Sequence, residues 1–157
     1  MIKSAIILAA GLGKRMRPLT NDMPKPMIEI KGKPMIRHLI DLLDDIGIQK
    51  ICVNVHYKSE LLVDYLQSIE SKKIIISDET NELLETGGGI KKAFNYLDED
   101  YSFVFNSDSL WNNRLSDQIK NMSEKFQADV MKAFLGLSHI NSLEGYDGAG
   151  DFCFTND

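Results

Sequence analysis

Cysteine is scarce in this chain. There are two in 157 residues, Cys52 and Cys153. Two cysteines make neither a disulfide framework nor the paired spacing of a zinc site. Reduced thiols suit the cytoplasm, and that is the expected location. Long apolar runs are also missing. The longest near the start, residues 5–10, is too short to cross a bilayer and lacks the length and cleavage pattern of a secretion signal. Nor is there an excess of positive charge: 18 Lys and Arg stand against 23 Asp and Glu, a net charge of −5. A mildly acidic chain argues against general binding to nucleic acid or to an anionic membrane. Repeats, low-complexity stretches and linkers are absent as well.

What is present is a globular balance, with 43% hydrophobic and 26% charged residues. The length predicts one domain over residues 1–157. Short apolar runs alternate with amphipathic ones. Ala5-Ile6-Ile7-Leu8 reads as a strand buried on both faces. A short strand is expected over residues 27–30. Pro34 opens a helix with apolar residues at 36, 39, 40, 43 and 46, closed by Gly47. Further strands are predicted at 51–55, 74–76, 101–105 and 130–135, and Phe152-Cys153-Phe154 begins another. Ser59 and Thr86 are placed to cap helices, and a last helix runs over 115–126. Alternating strands and helices imply parallel pairing through right-handed crossovers. The expected fold is α/β, a Rossmann-like, doubly wound, mainly parallel sheet. Ligands of such sheets bind at the carboxyl ends of the strands. Gly-rich or polar, ligand-competent residues follow three of the four main strands, so the chemistry collects on one rim.

Four constellations stand there. The first runs from Leu8 through Ala9, Ala10, Gly11, Gly13, Lys14, Arg15 and Arg17 to Thr20. Small residues allow close approach of a ligand, backbone amides can face phosphate oxygens, and three cations stand in an acidic chain. The dinucleotide fingerprint fails because Met16 occupies its third glycine position, and Gly13-Lys14-Arg15 lacks the hydroxyl of a P-loop. The other reading is a glycine turn with solvated basic residues. The second, Pro24-Lys25-Pro26-Met27, restricts the backbone around one ammonium. It suits a phosphate, or is a rigid surface turn. The third, Asn106-Ser107-Asp108-Ser109, offers a carboxylate suited to Mg²⁺, or an Asx turn. The fourth, Leu84-Glu85-Thr86-Gly87-Gly88-Gly89, opens a helix with three glycines, each costing roughly 1 kcal/mol against alanine. Either something approaches that backbone closely or the loop is flexible.

Together, Leu8-Ala9-Ala10-Gly11-x-Gly13-x-Arg15-Met16-x-Pro18-Leu19-Thr20 and Pro24-Lys25-Pro26-Met27 resemble the signature of the sugar-1-phosphate nucleotidyltransferase family. The resemblance covers essentially the whole chain. Within the family the pattern at 84–89 and the late Gly148-Ala149-Gly150-Asp151-Phe152 are most similar to uridylyltransferases of N-acetylmuramate 1-phosphate, with mannose-1-phosphate guanylyltransferases close in pattern. The resemblance implies Mg²⁺-dependent transfer of a nucleotidyl group from a nucleoside triphosphate, UTP favoured, to a sugar 1-phosphate. It implies that Ala9, Ala10 and Gly11 hold the nucleoside, and that Gly13, Lys14 and Arg15 hold the triphosphate. Lys25 contacts phosphate near the reacting centre, and Thr86 touches base and sugar. Asp108 holds the metal, while Asn106, Gly88 and Gly150 serve the sugar phosphate. Arg15, Lys25 and Asp108 are the implied catalytic residues.

Two departures qualify this. Ser107 stands where the family has glycine before its metal aspartate. The family also continues to a late Trp-x-Asp-x-Gly-Thr-like segment, whose aspartate gives the metal a second carboxylate. Nothing like it appears here, and Asp147, Asp151 and Asp157 follow no such pattern. The implied chain is a truncated member with its sheet incomplete at the C-terminal end. An exposed sheet edge would favour a homodimer. A non-catalytic nucleotide- or sugar-phosphate-binding remnant is the competing expectation.

Overall fold

The computed structural model describes residues 2–109, 115–142 and 147–153. Strand β1 (Ser4–Leu8) is followed by 3-10 turns at Lys14–Met16 and Lys25–Met27. A small antiparallel pair comes next, β2 (Glu29–Ile30) and β3 (Lys33–Pro34). Then α1 (Met35–Asp45), β4 (Lys50–Val55), α2 (Ser59–Ser68), β5 (Ile74–Asp78), α3 (Glu85–Phe94), β6 (Phe103–Asn106) and α4 (Leu115–Lys125) alternate along the chain. The main sheet is parallel, in the order β5-β4-β1-β6. The chain therefore winds outward from β1 to β5 and returns across β1 to place β6. Such a reversal opens a crevice beyond the carboxyl ends of the strands where the order turns.

The two-residue alternation of each strand sorts its side chains between two faces. Ala5 and Ile7 join Ile51, Val53 and Val55 on one face, under α1, α2 and α4. Ile6 and Cys52 look the other way, toward Ala93 and Leu97. Helices thus cover both faces, as expected of a doubly wound fold. In α1, Ile36, Leu39, Ile40 and Leu43 form one buried stripe at helical spacing. Pro34 stands just before its first turn. Gly47, at φ +82°, ends it by donating its N–H to the Asp44 carbonyl.

Several local expectations need correction. Lys25–Met27 is a 3-10 turn between prolines, so only Glu29–Ile30 of the expected strand at 27–30 forms. Ser59 is the first helical residue after Lys58, with no side-chain cap; Thr86 likewise lies inside the first turn of α3. Residues 130–135 form no strand: Val130 and Leu135 are 72% and 55% exposed. A strand needs a neighbour to take its backbone hydrogen bonds, and this run pairs with none of the strands among the described residues. Phe152 and Cys153 are exposed and outside any strand. Phe154 and Asp157 lie outside the described residues. Among the described residues, no helix is long and apolar enough to cross a membrane.

Candidate active site

An open cleft of about 490 Å³ lies beyond the carboxyl ends of β1 and β6. The loop after β1 brings Ala9, Ala10, Gly11, Gly13, Lys14 and Arg15 to its wall. Lys25 stands beside them. The end of β6 adds Asn106 and Asp108, and the start of α3 adds Glu85 and Thr86. Residues spread over a hundred positions of sequence thus share one cavity. Gly88 and Gly150 do not line it. Gly88 packs where a Cβ would come within 2.9 Å of the Leu84 side chain. Gly150 lies against Ile140, with φ +87°.

The loop after β1 is held from behind. Gly13 has φ +62°, and a Cβ there would sit 2.9 Å from Thr20 Cγ2, so both conformation and space call for glycine. Its carbonyl accepts the Met16 N–H at 2.9 Å and the buried Thr20 hydroxyl at 2.8 Å. Tyr57, just past β4, donates its hydroxyl to the Thr20 carbonyl at 2.9 Å. These ties seat the short turn carrying Lys14 and Arg15. Behind Ala9 and Ala10 stands Asn54, which is buried; its Oδ1 accepts their N–H groups at 2.6 and 3.3 Å. Two amides of the loop are therefore directed into the protein and away from a phosphate in the cleft.

Across the cleft, Lys25 Nζ donates to Asp108 Oδ2 at 2.5 Å, bridging 83 positions of sequence. Pro24 and Pro26 restrain the turn that presents the ammonium. Both side chains are partly exposed, so the pair opens into solvent and is available to a ligand. Ser107 keeps out of the left-handed region, and its N–H donates to the Leu8 carbonyl at 3.1 Å. Serine is thus compatible with this backbone, and the departure from glycine leaves Asp108 at the rim. Glu85, in contrast, lines the cleft at φ +57°, a conformation L-residues rarely adopt.

Some residues that shape the cleft were not singled out by sequence reasoning. Asn54 leaves a signal, a polar side chain inside an otherwise apolar strand. Buried Glu79 leaves none among the acidic residues around it; its Oε1 accepts from Asn54 Nδ2 at 2.9 Å. His56, on the same rim, bonds through Nδ1 to the Glu79 carbonyl at 2.6 Å, and His38 through Nε2 to the Ile30 carbonyl at 2.8 Å. Both therefore serve the fold.

An open parallel sheet with a glycine-lined crevice at its switch point, bordered by Lys14, Arg15 and Lys25, defines an α/β domain of the doubly wound class. A family model described as nucleotidyl transferase matches residues 4–146, and the chain belongs to that family. It is 40% identical to N-acetylmuramate alpha-1-phosphate uridylyltransferase of Caulobacter vibrioides over 99% of its length, covering 66% of that protein. It is also 40% identical to a probable mannose-1-phosphate guanylyltransferase 1 of Oryza sativa, over 66% of this chain and 30% of that one. Among solved structures, HddC from Yersinia pseudotuberculosis complexed with GMP-PN superposes with a TM-score of 0.66 at 34% identity, over 76% of this chain and 54% of that one. The chain thus spans about two thirds or less of the relatives it matches.

Proposed function

We propose that this chain transfers a nucleotidyl group from a nucleoside triphosphate, UTP by preference, to a sugar 1-phosphate, giving a nucleotide sugar and pyrophosphate. The observation that carries the reading is the gathering of Lys14, Arg15, Lys25 and Asp108 around one glycine-lined cleft. The likeness to the Caulobacter vibrioides uridylyltransferase supports the choice of UTP. A second reading uses GTP and a mannose-1-phosphate-like acceptor; the Oryza sativa relative supports it.

In the proposed reaction an oxygen of the sugar 1-phosphate attacks the α-phosphorus in line. A bond forms to that phosphorus, and the bond to the bridging oxygen breaks. Pyrophosphate leaves with the electron pair. The attacking oxygen is already anionic, so no general base is needed. Two polyanions must instead be brought together and their repulsion screened. Lys14 and Arg15 receive the triphosphate, and Arg15 can grip it with two parallel hydrogen bonds. Lys25 places its ammonium where charge builds up, and the walls align the two substrates.

The donor set fits Mg²⁺. Among the described residues no three His, Cys, Asp or Glu side chains gather into a metal cage. Mg²⁺ suits such a site, since it keeps several waters and takes one or two carboxylates plus substrate phosphates. Asp108 would be its protein ligand, and its carboxylate already accepts a cation, the Lys25 ammonium. When bound, the ion would supply Lewis-acid charge to the reacting phosphate.

The test is pyrophosphate release from each nucleoside triphosphate with glucose, mannose and N-acetylmuramate 1-phosphates in Mg²⁺. Release with UTP is expected. Release with GTP alone would favour the second reading. Nucleotide binding with no release from any pair would leave a binding protein.

A further inference from the structure

At the floor of the cleft lies one buried polar pair, Asn54 in the lining and Glu79 behind it. Asn54 and Glu79 are 2% and 1% exposed. The direction of every hydrogen bond around them is set. Asn54 Oδ1 faces two N–H donors, Ala9 and Ala10, so Nδ2 must be the group that points to Glu79. Glu79 Oε1 accepts from Nδ2 at 2.9 Å, and Oε2 accepts the Leu84 N–H at 3.2 Å. Asn54 cannot be turned over without setting its amide N–H groups against those of Ala9 and Ala10, while both oxygens of Glu79 accept. Helix α3 rests on the pair: a Cβ on Gly89 would lie 2.7 Å from Asn54 Nδ2 and 2.8 Å from Glu79 Oε1. Among the described residues Glu79 has no ion pair. Well-packed apolar side chains would often stabilise such a spot as well or better. What the polar pair adds is direction and distance.

The ends of this chain of bonds are the two sides of the cleft. Ala9 and Ala10 belong to the loop after β1; Leu84 leads into α3, flanked by the lining residues Leu83 and Glu85. We infer that Asn54 and Glu79 are positioning residues that set the spacing between these walls, and thereby the affinity and base preference for the nucleoside triphosphate. This rests on the reading of the cleft as a nucleotide site.

Glu79→Gln sets an amide NH₂ against either Asn54 Nδ2 or the Leu84 N–H. Asn54→Asp removes the Nδ2–H that Glu79 Oε1 accepts and leaves two acidic groups face to face, which repel or take up a proton between them. In the double variant Asn54→Asp/Glu79→Gln every direction is restored: the new carboxylate accepts from Ala9, Ala10 and the new amide, whose oxygen accepts from Leu84. The experiment measures binding of UTP, GTP, CTP and ATP by calorimetry with Mg²⁺, below the melting temperature of every variant. Where turnover is present, KM is measured for each substrate. Each single variant is expected to weaken binding of the preferred nucleotide by roughly tenfold, the scale of one unsatisfied buried group, and to narrow its lead over the other bases. The double variant recovers both. KM for the nucleotide rises while KM for the sugar 1-phosphate holds, a split that general loss of folded protein would not produce. Should a single variant fail to fold, Gly89→Ala, which crowds the pair without removing a partner, is expected to raise the nucleotide KM in the same selective way. Wild-type affinity and base ranking in the folded variants, or a folded double variant that stays weak, would overturn the inference alone. A wild-type chain that binds no nucleotide would overturn the functional reading and the inference with it.

Discussion

On one face of the sheet, α1, α2 and α4 enclose a continuous apolar layer built from Ala5, Ile7, Ile51, Val53 and Val55 and the stripe of α1. On the other face, among the described residues, α3 and Leu97 just beyond it pack on Ile6 and Cys52, and the first turns of α3 carry three glycines. The same strands serve both faces, so the difference lies in what packs on them. The first face is closed by large aliphatic side chains and holds the fold together. The second is thinner, with Asn54 and Glu79 buried beneath the start of α3. Large aliphatic packing and the buried polar pair thus lie on opposite sides of one sheet, and the cleft opens beyond the strand ends.

That division can be broken most sharply at the cleft. Lys25→Ala and Asp108→Ala are each expected to lower turnover by roughly 10² to 10³, the scale of removing one charge-stabilising group. Because both side chains are partly exposed, the melting temperature should barely move. Pyrophosphate release beside thermal melting checks this. Full turnover in Asp108→Ala would remove that carboxylate from the metal site.

The thick face should answer in the opposite way. Leu39→Ala empties space in the buried stripe of α1 and is expected to cost about 2–5 kcal/mol. Nucleotide affinity, measured well below the melting point, should stay near wild type. A large loss of affinity without a loss of stability would erase the division.

On the thin face, burial pushes the Cys52 thiol up to about 11 from its ordinary 9.0. The folded state then holds a proton that the unfolded chain releases first. This contribution is complete below pH 9.0 and is lost as pH rises toward about 11. The slope approaches about 1.4 kcal/mol per pH unit. Urea titrations across that window should show the fall, and Cys52→Ala should lack this component. Cys153 is exposed, so a thiol reagent should label it in the folded chain and reach Cys52 only on unfolding.

The smallest effect is expected at Gly87, where an added Cβ meets nothing within 4 Å. Gly87→Ala should stabilise α3 by up to about 1 kcal/mol, read as a modest rise in melting temperature. The contrast with crowded Gly89, two positions on, would show that the glycines of this turn serve different ends.

Much of the architecture was legible in the chain because its signals are local. The stripe at 36, 39, 40 and 43, the run Ala5-Ile6-Ile7-Leu8 and the strand at 51–55 each appear where their periodicity places them. The expectation at 130–135 failed because an apolar run alone does not supply the neighbouring strand that would pair with it. At the cleft, Gly13, Lys14, Arg15, Lys25 and Asp108 could be singled out because glycine runs, flanking prolines and strand-end polar residues are conspicuous. Glu79 could not, since nothing in its neighbourhood distinguishes it from Glu82 or Glu85.

Residue order alone determined the alternation of strand and helix, the parallel winding and the crowding of functional residue types just after the strands, because hydrophobic period and turn chemistry act over a few positions. Only the tertiary structure decided that Lys25 meets Asp108, that Gly88 and Gly150 stand apart from the cleft lining, and that Asn54 and Glu79 join its two walls. Those facts depend on distances across the sheet, and such distances are set by strand order and register, which join residues far apart in the chain.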